Sequence, residues 1–116
     1  IKTACSGNKI LMACRPHNSP TITLLAWGLR SDVFFDTGAG QNQGHTAGPV
    51  VWYFNSAYSW GFATAGDTLN LTQCDTTAGV DRWCVHTSNG AGGYRCGDTM
   101  VLNSDNTWDR LIYQAR

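Results

Sequence analysis

The chain has 116 residues and a formal net charge of zero, from eight basic and eight acidic side chains. That length fits one domain, 1–116, able to bury about two-thirds of the surface its unfolded form exposes. The basic residues are scattered, which argues against nucleic acid as a partner, and no apolar run approaches a membrane span.

Taken in order, Lys9 to Cys14 predicts a short strand, and Thr21 to Leu29 another, opened by β-branched residues after Pro20. Val33 to Phe35 reads as a short buried strand, or as the previous one continued after a bulge. Thr37 to Pro49 is polar, glycine-rich and long for a loop in a small domain. Val50 to Asp67 then holds Trp52, Tyr53, Phe54, Tyr58, Trp60 and Phe62, six of the thirteen aromatic residues. Two aromatic runs around the polar turn Asn55-Ser56-Ala57 predict a hairpin whose rings alternate between its faces; either the whole cluster is core or one face stays available to a ligand. Further strands are expected at Thr68 to Thr72, Arg82 to His86, Gly93 to Cys96, Met100 to Leu102 and Asp109 to Gln114. All eight acids are Asp and none is Glu, and no stretch keeps a 3.6-residue apolar period. At most one or two helical turns are expected. The fold class is therefore all-β: a single compact antiparallel sandwich or barrel of short strands, stapled by disulfides.

Five cysteines stand at positions 5, 14, 74, 84 and 96, without the paired spacing of a zinc site. Disulfides formed in an oxidising compartment explain them better. Of the fifteen ways to draw two bridges, the pairs Cys14–Cys96 and Cys74–Cys84 are our expectation, leaving Cys5 to link two chains. Asn70-Leu71-Thr72 is an N-glycosylation sequon, and a chain opening at Ile1 reads as a mature product from which a targeting segment was removed. A secreted, extracellular glycoprotein is expected.

Asp-Thr recurs at Asp36, Asp67 and Asp98, at intervals of 31 residues. Of these, Val33-Phe34-Phe35-Asp36-Thr37-Gly38-Ala39 is similar to the active-site turn of aspartic proteases, where two aspartates share a proton across a dimer. The C-terminal Leu111-Ile112-Tyr113 strand, however, lacks the glycine that supports such a turn. His17, His45 and His86 have no metal-ligand spacing, and no nucleophile elbow is present. No cofactor is expected; calcium, held by aspartates converging from loop tips, is the exception the sequence leaves open.

Recognition chemistry remains. A sugar presents C–H groups to an aromatic ring and hydroxyls to Asp, Asn or Arg. The sequence places Tyr58 and Trp60 near Asn55 and Asp67, and Arg30 near Asp32.

The N-terminal quarter also resembles the galactose- and rhamnose-binding lectins known from sea-urchin eggs. Ala4-Cys5-Ser6-Gly7 leads through Ile10 and Met12 to Cys14, then Ile22, Leu24 and Ala26 lead to Arg30-Ser31-Asp32, at the family's offsets. Gly97-Asp98 before Leu111-Ile112-Tyr113 is similar to the family's C-terminal layout. Ser6 stands where that family has Glu, and Trp27-Gly28 is displaced from its Tyr-Gly pair. The resemblance implies a non-enzymatic lectin in which Gly97 and Asp98 contact sugar. The expected carbohydrate-binding set is thus Asn55, Tyr58, Trp60, Asp67, Gly97 and Asp98. Glycans or glycoproteins are the expected partners, with a homodimer formed through Cys5 or through the last strand. The alternative is an extracellular structural, defence or toxin-like protein that binds a protein or lipid surface.

Overall fold

A computed structural model describes residues 7–37, 44–54, 59–64, 81–86, 94–101 and 107–115. The strands are β1 (Lys9–Pro16), β2 (Leu24–Leu29), β3 (His45–Ala47), β4 (Val50–Phe54), β5 (Ser59–Thr64), β6 (Arg82–His86), β7 (Tyr94–Gly97), β8 (Thr99–Val101) and β9 (Trp108–Ala115). They form two antiparallel sheets. The smaller has the order β2-β1-β9, and the larger is a six-stranded meander from β3 to β8. A single helical turn, α1 (Arg30–Val33), carries the chain from the first sheet to the second. The all-β, disulfide-stapled sandwich expected from composition is what forms.

Two expectations are corrected. Val33 to Phe35 is not a strand: the amides of Phe34 and Phe35 donate to the carbonyls of Arg30 and Asp32, closing a helical turn. The chain must change sheets there, and the turn seats Val33 and Phe34 in the core. The stretch from Thr37 to Pro49 is not all loop, because β3 pairs with β4, with Ala47 opposite Val50. The turn between them is Gly48-Pro49, and Gly48 has φ of +68°, a conformation glycine adopts without strain.

The aromatic hairpin pairs Trp52 with Phe62 and Phe54 with Trp60. Its rings do alternate, but neither face of the two strands is open. Trp52, Trp60 and Phe62 join the main core together with Trp83 of β6. Tyr53 joins Val51, Ala63 and Cys84 in a second buried cluster. Trp60 stacks on Phe34 at 5.0 Å between centroids and meets Trp83 edge-on at 5.8 Å. Four large aromatic rings on one sheet require small residues opposite them, since cores are packed to crystal-like density. The smaller sheet supplies Cys14, Ala26 and Gly28 beside the larger Ile10 and Met12. A Cβ on Gly28 would lie 2.9 Å from the Trp52 ring, so only glycine fits.

Among the described residues, a hydrogen bond and a disulfide fasten sheet to sheet. The Trp83 indole N–H donates to the Ala13 carbonyl at 2.8 Å. Cys14 of β1 is disulfide-bonded to Cys96 of β7, as expected from the sequence, across 82 residues. Cys84 is disulfide-bonded too. The expected partner Cys74, like Cys5, the sequon Asn70 and the strand at Thr68 to Thr72, lies outside the described residues.

Candidate functional site

β2 turns Ala26 and Gly28 inward, with Gly28 against the Trp52 ring, and this sets the face on which its larger residues emerge. Leu25, Trp27 and Leu29 alternate with Leu24, Ala26 and Gly28, and Trp27 is 59% exposed. Leu11 of β1 lies opposite Trp27 on one side and opposite Tyr113 of β9 on the other. Partners in register share a face, so Trp27, Leu11 and Tyr113 form a row across the outside of the smaller sheet. Tyr113 is 60% exposed.

Where the edge of β2 meets the β3–β4 turn, Trp27, Leu29, Asp32, Gly48, Pro49 and Val50 help to line an open cleft of about 460 Å³. Asp32 comes from α1 and is the charged side chain of that lining. Its carboxylate accepts a hydrogen bond from His45 Nε2 at 2.8 Å. The His45 ring in turn stacks on exposed Phe35, 4.3 Å between centroids. The carboxylate is therefore held in place by a ring that is itself held. Beside the cleft, the buried Trp52 indole N–H has no hydrogen-bond partner among the described residues.

A second groove of about 230 Å³ lies between Trp27 and Tyr113, with Leu11 beneath. Lys9 and Gln114 stand at its rim, and the Lys9 ammonium is 5.8 Å from the Trp27 ring centroid. Gln114 accepts the Gly7 amide through Oε1 at 2.8 Å, which orients its carboxamide.

The binding residues expected from the sequence fare differently. Trp60 is 2% exposed and donates its indole N–H to the Val33 carbonyl, so its ring is core and is withdrawn as a sugar platform. Gly97 and Asp98 form the tight turn between β7 and β8; Gly97 has φ of +64° and is buried, while Asp98 is exposed. That geometry gives them a turn-forming role, and neither lines either cleft. Asn55, Tyr58 and Asp67 lie outside the described residues. Asp36, the aspartic-protease candidate, is exposed and pairs with Phe54 in an isolated bridge. Asp36-Thr37 therefore occupies a different setting from Asp98-Thr99, and the recurrence of Asp-Thr does not mark equivalent positions. Among the described residues, no group of three or more His, Cys or Asp side chains is placed to hold a metal ion.

Trp27 and Tyr113 escaped the sequence reading. The available signal was the alternation of large and small residues from Leu24 to Leu29, whose direction depends on Trp52 filling the space opposite. No family model, no curated protein and no solved structure matches the chain.

Proposed function

We propose that this chain is a non-enzymatic carbohydrate-binding domain of the extracellular space, with its site in the cleft between Trp27 and Asp32. One observation carries the reading: an exposed indole and an oriented carboxylate line the same open cleft. The ring offers a surface for the C–H face of a sugar, and the carboxylate accepts paired hydroxyls. The buried Cys14–Cys96 bridge fits an oxidising compartment.

A weak single site gains from being doubled, and β9 is an edge strand of its sheet. We place homodimer formation there, strand beside strand about a two-fold axis, the commonest symmetry for self-pairing.

The test is a glycan panel that includes galactose, read with and without calcium, followed by titration of the tryptophan fluorescence. Trp52, Trp60 and Trp83 are buried and Trp108 is half-buried, so a sugar-induced change is assigned to Trp27 by its loss in Trp27→Ala. Trp27→Ala and Asp32→Asn are each expected to weaken binding about tenfold or more. An empty panel, or binding untouched by Trp27→Ala, sinks the proposal.

The exposed Leu25, Trp27, Leu29 and Tyr113 favour the second reading, a protein or lipid surface as partner. Co-sedimentation with vesicles and absence of glycan binding would be its signature.

A further inference from the structure

The two clefts share one wall. Trp27 lines the Asp32 cleft on one side and the Tyr113 groove on the other. Resting on the carbohydrate reading above, we infer that the ligand is not a single sugar but a linear chain of β-1,4-linked pyranoses. It would run across the strands from Asp32 over Trp27 to Tyr113.

Trp27 and Tyr113 both stand opposite Leu11, on strands that flank β1. Neighbouring strands are about 4.8 Å apart, so the two rings are carried about 10 Å apart on one surface. A β-1,4-linked chain is a flat ribbon in which successive rings flip. Alternate rings therefore turn the same C–H face to the same side, at an interval that matches this one. The ring between them passes over Leu11, whose short aliphatic side chain leaves room for it. Lys9 and Gln114 stand where equatorial hydroxyls emerge at the ribbon's edge. One further unit reaches the Asp32 carboxylate. The site thus takes roughly four units, counted from the strand spacing. An α-1,4-linked chain coils and cannot lay alternate rings flat on two side chains of one sheet.

The experiment measures affinity against chain length, using cello-oligosaccharides of one to six units and the matching malto-oligosaccharides. The expected result is affinity that climbs to about four units in the β-1,4 series and stays flat in the α-1,4 series. Tyr113→Ala should cut tetramer binding roughly three- to tenfold, while Tyr113→Phe, which keeps the ring, should retain it. Equal affinity for two and six units overturns the extended site while leaving the Trp27–Asp32 reading standing. Equal climbing in both series overturns the ribbon specificity. Binding by no sugar of either series or of the panel overturns both readings. Light scattering supplies the remaining outcome: if Trp27→Ala, on the edge strand away from β9, turns a dimer into a monomer, the row is a self-association surface and the inference fails.

Discussion

At the scale of single residues, the fold depends on side chains that are absent as much as on those present. Gly61 of β5 stands opposite Tyr53 on β4 and Cys84 on β6. Tyr53 reaches across it, and its hydroxyl donates to the Trp83 carbonyl at 3.1 Å. A Cβ on Gly61 would lie 1.9 Å from that carbonyl oxygen. The atom in the way is backbone, so nothing flexible can yield. Gly61→Ala is expected to cost about 3 kcal/mol by overpacking and to break the Tyr53 bond. A urea midpoint within experimental error of the wild type would show that the strands slide apart freely, contrary to this packing. Gly28 plays the matching part on the other sheet, where it admits the edge of Trp52 and so dictates that Trp27 faces outward.

At the scale of elements, the smaller sheet closes through charged and polar contacts at one end. The loop after β1 is fastened to the start of β9 by Asp109. His17 Nδ1 lies 2.7 Å from Oδ1, while the Asn18 amide and Arg15 Nε donate to Oδ2 at 3.1 and 3.0 Å. Asn18 Nδ2 lies 3.2 Å from His17 Nε2, so the ring is held on both sides. These contacts, the His17 bond first and the Asn18 amide next, hold the Asp109 carboxyl down at about 2. A carboxyl lowered by folding stabilises the fold above its unfolded value of about 4, and that contribution disappears as pH falls toward 2. Asp109→Asn should therefore lower the thermal midpoint at pH 6, and the difference from wild type should close near pH 2. A gap of the same size at both pH values would mean that shape, not charge, is what Asp109 contributes.

At the scale of the whole molecule, the described residues hold the two sheets together through an aromatic core, the Trp83 indole hydrogen bond and the Cys14–Cys96 bridge. Cys14 and Cys96 are both fully buried, and their bond closes a loop 82 residues apart in sequence. Long loops lose the most unfolded-state entropy on closure. Replacing both cysteines with alanine is expected to cost about 2–5 kcal/mol. Chemical denaturation of the double variant would measure it, and an unchanged midpoint would show that the core alone holds the sheets together. The same arrangement explains why the binding surface lies where it does. The larger sheet directs Trp52, Trp60, Phe62 and Trp83 into the core, while the smaller sheet, where Ala26 and Gly28 make room for them, carries Trp27 and Tyr113 on its outer face.

The sequence by itself determined the strand class, most strand positions and, among the described residues, the near absence of helix; Cys14–Cys96, one of fifteen possible arrangements of two bridges, was expected and is formed. These are local or compositional signals: β-branched and aromatic runs, turn residues, Asp without Glu. The binding set read from the sequence, Asn55, Tyr58, Trp60, Asp67, Gly97 and Asp98, did not include Asp32. Only tertiary structure decided which aromatic rings are core and which are surface. Trp60 and Trp27 sit in equally apolar runs, and nothing local distinguishes them. Their fates differ because Trp60 meets Phe34 and Trp83, while the space behind β2 is already filled by Trp52. Likewise, β3 carries no apolar alternation in His45-Thr46-Ala47 and exists because β4 offers it an edge. Side-chain volume across the interface between sheets is a property of two distant segments together, and it set the direction in which β2 faces.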